Sequence, residues 1–118
     1  MTVREFYDSI GGNYDEVMSR LMKETRILTY LKLSLSNSDC SAIVAALDAE
    51  DYDAAFRSAH NLKGVCLNLG LGDYTKAVTE VCESVRHGKP DFDLSGMVAE
   101  MVGQNAYVTQ QIRALVGE

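Results

Sequence analysis

His60, Lys63 and Gly64 stand in the stretch AHNLKGVCLNLG (residues 59–70), and together they could present a nucleophile, a cation and an open approach on one surface. A neutral imidazole offers one nitrogen as a nucleophile near physiological pH while the other holds its proton. A lysine ammonium three residues on can meet a dianionic phosphoryl group. A glycine in the interior of a helix costs about 1 kcal/mol relative to alanine, so its place one turn after the histidine asks for a reason.

The apolar pattern puts these residues on a helix running from about 51 to 69. At about 100° per residue, Ala55, Ala59, Leu62, Cys66 and Leu69 cluster on one side as a packing seam. His60 lies nearly opposite, and Phe56, Arg57, Lys63, Gly64 and Leu67 fall within about 60° of it on the same wheel. That is the solvent side, where Phe56 and Leu67 add apolar area to an otherwise wet face and mark a candidate docking patch with Arg57. The plainer readings are a surface histidine, a solvated lysine, a glycine serving close helix packing, and a Phe56 packed laterally on short N-terminal helices.

The rest of the chain repeats the helical period. Val3, Phe6, Tyr7 and Ile10 form a short stripe ended by Gly11-Gly12, and Asn13 with Glu16 makes a capping pair for a second one carrying Tyr14, Val17, Met18 and Leu21. Ile27, Leu28, Leu31 and Leu35 continue to the polar run Ser36-Asn37-Ser38, and Asp39 is placed to cap a helix through Ile43, Val44 and Leu47. Gly70 and Gly72 mark the end of the histidine-bearing helix. Ala77, Val78, Val81 and Val85 form the next seam, which stops at His87-Gly88, with His87 read as a cation at a helix end. The last helix spans about Leu94 to Val116, its seam interrupted by the polar Asn105 at a core-facing position.

No segment alternates with period two, so the expected fold is all-α: an up-down four-helix bundle over about 23–116 with additional short N-terminal helices over about 2–21, in one domain of 118 residues. Apolar residues are 47% and charged residues 24% of the chain, a globular balance. The net charge of −6 and the lack of a basic stripe disfavour nucleic acid as a partner. No membrane span or leader is apparent, which places the expected site of action in the cytoplasm. Cys40, Cys66 and Cys82 have no CxxC pair and no histidine at a ligand interval, so a metal site is not expected and the cysteines read as small hydrophobes.

The stretch resembles the histidine-containing phosphotransfer (HPt) domains of multistep phosphorelays. Their motif H-x-L-K-G-x-x-x-x-x-G is complete in His60, Leu62, Lys63, Gly64 and Gly70, preceded by the common alanine as Ala59. Asn61 departs from the small hydroxyl residue frequent at that place. The resemblance implies that His60 accepts a phosphoryl group from a receiver-domain aspartyl phosphate and passes it on, that Lys63 steadies the charge, that Gly64 admits the receiver, and that Ala59, Leu62 and Gly70 are structural. It implies response-regulator receiver domains and hybrid sensor kinases as partners, no cofactor of the chain's own, and a divalent cation carried by the receiver. Monomer is the default state. There is no glycine-rich phosphate loop, so a kinase ATPase is excluded and the chain reads as a phosphocarrier. A receiver-binding adaptor that keeps the surface without transferring, and a plain structural bundle, are the alternatives.

Overall fold

The computed structural model describes residues 1–118 and is helical throughout, with seven helices: α1 (Val3–Ser9), α2 (Tyr14–Leu21), α3 (Glu24–Ser34), α4 (Asp39–Asp48), α5 (Tyr52–Leu69), α6 (Gly72–Ser84) and α7 (Ser95–Val116). Helices α4, α5, α6 and α7 pack each on the next, and α7 returns to touch α4, which closes a four-helix bundle. Connections of only a few residues between α4, α5 and α6 turn the chain back at each step. Helix α7 has 22 residues, about 33 Å at 1.5 Å per residue, in a molecule whose longest dimension is 42 Å.

The short helices close one end of this bundle. α1 packs on α7, α2 on α1 and α3, and α3 on both α5 and α7. Val3, Phe6, Tyr7 and Ile10 are all buried, as are Val17, Leu21, Ile27 and Leu31, so the stripes read from periodicity are the faces that the chain removes from water. Caps fix where these elements begin. Thr2 and Glu5 form a reciprocal capping box for α1, and the Asn13 side chain accepts from the Glu16 amide at 3.1 Å to start α2. Glu16 does not reciprocate; its carboxylate takes Arg20 instead at 2.9 Å.

Four local expectations are corrected. Gly72 does not end α5 but opens α6, because the turn is made by Gly70 and Leu71 alone. Asp39 is the first residue of α4 and not its cap; Ser38 holds the cap position without a side-chain bond, and Asn37 accepts from the Asp39 amide at 2.9 Å. Helix α6 stops at Ser84, so His87 sits exposed in the following turn, beyond the last helical carbonyls. Asn105 is half-buried, at the edge of the core, where its amide donates to the Tyr74 hydroxyl at 2.9 Å. That bond gives a polar residue a place in the α7 seam without an unpaired group.

The α5 to α6 turn is closely packed against the N-terminal helices. Gly70 adopts the left-handed conformation (φ +64°) that ends α5. Gly72 follows at φ +56° and lies against the end of α1, where a Cβ would come within 2.2 Å of the Ile10 carbonyl oxygen. The Asp73 amide donates to that same carbonyl at 3.0 Å, and the Tyr7 hydroxyl donates to the Leu69 carbonyl at 2.8 Å. On the other flank, Arg20 of α2 donates to the Leu67 and Asn68 carbonyls at 2.9 and 3.1 Å. The orphan carbonyls at the C-terminus of α5 are thus satisfied by the N-terminal helices, which fixes how far along the bundle α5 extends.

Candidate functional site

Helix α5 carries the candidate residues and is pinned at both ends. Asp51 caps its start, accepting from the Ala54 amide at 3.0 Å, and Gly70 ends it. Ala55, Ala59, Leu62, Cys66 and Leu69 are buried, which fixes the rotation of the helix about its own axis. Ala59 and Leu62 are therefore core residues, and Gly70 is held by its backbone conformation. The buried Cys66 thiol is pushed up to about 12 by desolvation, which leaves it inert as a nucleophile. No group of three or more metal-ligating side chains gathers anywhere in the chain.

With the seam turned inward, His60 is exposed on the opposite side. Gly64, one turn further along, is exposed as well, and a Cβ added there would meet no atom within 4 Å. This eliminates close helix packing as the reason for the glycine. The side chain is missing where nothing in the chain itself would crowd it. Leu67 continues the same face and is 53% exposed.

Phe56 lies one turn before His60, and its ring stacks on the imidazole with centroids 5.7 Å apart and planes at 26°. It is half-buried and packs against the edge of the hydrophobic core. Arg86, just past the end of α6, places its guanidinium over the Phe56 ring, 5.1 Å from the ring centroid. Phe56 therefore holds the imidazole from one side and is itself covered by a cation. Arg57 points to solvent and pairs with Asp53 on its own helix.

Lys63 is not a free ammonium. It reaches across to α6 and donates to Glu83 at 3.2 Å, with a quarter of its side chain exposed. Glu83 also accepts two bonds from Arg86, at 2.8 and 2.7 Å. The Arg86 fork first and the Lys63 ammonium second hold the Glu83 carboxyl down to about 2, so it is ionised throughout the physiological range. Asn61 points the other way, toward α4, and donates to the Asp39 carboxylate at 2.6 Å. Asp39 accepts from Asn37 as well, at 2.9 Å, so Asn61 ties the histidine's helix to the start of α4.

The structure thus brings His60, Gly64 and Leu67 together on one open face, with Arg57 exposed one turn before His60 and paired with Asp53, and sets Lys63 at the border of that face with α6. Sequence reasoning missed Glu83 and Arg86. Their only local signal is the opposite-charge spacing of three residues, and nothing in the sequence sets α6 in register with α5. It also missed Arg20, whose bonds to the last α5 carbonyls depend on the placement of α2. No helix is long and apolar enough to cross a membrane.

A family model described as Hpt domain matches residues 33–116 of the 118-residue chain. No curated protein and no solved structure matches it. The matched span begins in α3 and takes in the whole four-helix bundle, with α1 and α2 outside it.

Proposed function

The chain belongs to the Hpt domain family, whose members serve histidine phosphotransfer in phosphorelays, and from that premise we propose that His60 is the residue that carries the phosphoryl group. It takes the group from the aspartyl phosphate of one receiver domain and returns it to the aspartate of another. The observation that carries this reading is the open space at Gly64 beside an exposed histidine. A receiver's active site is concave and must surround the phosphorus, so the imidazole has to stand clear of its own helix.

The transfer needs little from this chain beyond position. The lone pair of an unprotonated imidazole nitrogen attacks phosphorus, and a P–N bond forms as the P–O bond to the aspartate breaks. The aspartate leaves as a carboxylate, and the proton on the second imidazole nitrogen stays in place. Return transfer runs the same exchange backwards onto a second aspartate. Phe56 limits the tilt of the ring, Lys63 meets the transferred charge, and Leu67 gives the receiver an apolar contact beyond Gly64. The divalent cation is the receiver's contribution, and receivers of response regulators and of hybrid sensor kinases are the partners. The chain works as a monomer in the cytoplasm, and a carrier of this kind passes the group on without net turnover.

Incubation with a 32P-labelled phospho-receiver tests this. Acid-labile, base-stable label is expected on the chain, and His60→Gln abolishes it completely while the far-UV circular dichroism stays unchanged. Label retained by His60→Gln would overturn the assignment. Binding of receivers without any label on the unaltered chain would make the protein an adaptor.

A further inference from the structure

Glu83 is an acidic group held by two of the cations near His60. It accepts from Lys63 and Arg86 together, and Arg86 rests on the Phe56 ring that stacks on the imidazole. The five side chains form a closed circuit from His60 through Phe56, Arg86 and Glu83 to Lys63, which lies three residues along α5 from His60 and so on a neighbouring position of its surface. We infer that Glu83 competes with the phosphoryl group for Lys63: it holds the ammonium while His60 is bare and yields it when His60 is phosphorylated.

The geometry favours that exchange on three counts. Lys63 is the more weakly held of the two cations, with a single contact at 3.2 Å against the two of 2.8 and 2.7 Å from Arg86. When Lys63 leaves, the Arg86 fork still neutralises Glu83, so no carboxylate is stranded. A phosphoryl group brings nearly two negative charges against the single charge of the carboxylate, and the lysine stem is long and flexible enough to turn from one to the other. Glu83 is half exposed, so water remains to resolvate it. The consequence is an energetic handicap on phospho-His60: part of the attraction of Lys63 for the phosphoryl group is offset by the contact it gives up. A carrier that has to release its group benefits from such an offset, because it keeps phosphohistidine from becoming a sink.

This inference rests on the phosphotransfer reading, and the test separates the two. The equilibrium between phospho-receiver and phospho-His60 is measured for the unaltered chain, for Glu83→Gln, and for Glu80→Gln as a control. Glu80 is an exposed carboxylate on the same helix with no cation bound to it. Glu83→Gln shifts the equilibrium toward phospho-His60 by about two- to fivefold, the scale on which exposed ion pairs act. Glu80→Gln leaves it in place, and the melting temperatures of all three agree within a few degrees. In a Lys63→Gln background the gain from Glu83→Gln is lost, which a purely structural role for Glu83 would not produce. An unchanged equilibrium in Glu83→Gln, an equal shift in Glu80→Gln, or a gain that persists without Lys63 each overturns the inference. Failure of the unaltered chain to take label from either a phospho-receiver or potassium phosphoramidate would instead sink the phosphotransfer reading itself.

Discussion

Helix α5 and the turn that follows it contain two regions that use glycine for opposite ends. At the turn, a Cβ on Gly70 would come within 2.3 Å of the Val17 side chain, and one on Gly72 within 2.2 Å of the Ile10 carbonyl oxygen. In the middle of the helix, a Cβ on Gly64 would touch nothing within 4 Å. The crowded glycines let α1 and α2 close over the end of the bundle. The uncrowded one has no packing partner inside the molecule, so packing does not account for its cost to helix stability. Two members of one motif, six residues apart, thus differ: the fold requires the one, and on the proposed function the other leaves room for a partner.

The largest effect should come from the crowded side. Gly72→Ala puts an L side chain at φ +56°, a conformation that costs about 1–2 kcal/mol by itself, and also drives a methyl group into the backbone of Ile10. The expected loss is about 3 kcal/mol or more in urea unfolding, enough to take much of a small domain's stability. If Gly72→Ala unfolds at the same urea concentration as the unaltered chain, the turn is not the closure that its geometry implies.

A smaller loss should follow from Tyr7→Phe. The phenol is held well above its ordinary range by burial, so it remains the neutral donor to the Leu69 carbonyl at 2.8 Å. Removing the hydroxyl leaves that carbonyl short of a partner in a buried setting, for a cost of about 1–2 kcal/mol. The exposed face of α5 is untouched by this change, so labelling of His60 should proceed at the rate of the unaltered chain wherever the protein is folded. A transfer defect in Tyr7→Phe would mean that the two regions are coupled and not separate.

Much of this arrangement is legible in the sequence, and the reason is that burial repeats with the helical period. The stripe Ala55, Ala59, Leu62, Cys66 and Leu69 fixes which way α5 faces, and from that alone His60, Gly64 and Leu67 fall on the outside. Long-range register is not periodic and was not legible. Lys63 reads as a solvated charge beside the histidine, and only the placement of α6 reveals that Glu83 already holds it. Phe56 reads as exposed for the same reason, since Arg86 covers it from beyond the end of another helix. Local chemistry was also ambiguous at helix ends. Gly72 is as suitable after a helix as at the start of the next, and what decided was the approach of the end of α1 at Ile10, 62 residues earlier in the chain.

The mildest change probes the uncrowded side and separates the two uses of glycine most sharply. Gly64→Ala adds one methyl group in open space on an exposed helix, where alanine is preferred by about 0.5–1 kcal/mol, so the protein should become more stable by that amount. Transfer should nonetheless become slower, because the methyl group stands where the rim of the receiver's active site must pass to bring phosphorus within bonding distance of the imidazole. A misplacement of about 1 Å is enough to cost a transfer step tenfold or more. Gly64→Gln extends the obstruction and should slow transfer further, while the circular dichroism stays that of a folded helical bundle. A gain in stability with a loss of transfer is a combination that a packing role cannot produce, because a glycine required for packing loses both when it is replaced. If Gly64→Ala gains stability and transfers at the unaltered rate, the open space beside His60 is not an approach path, and the reason for the glycine must be sought in a partner that binds without exchanging phosphate.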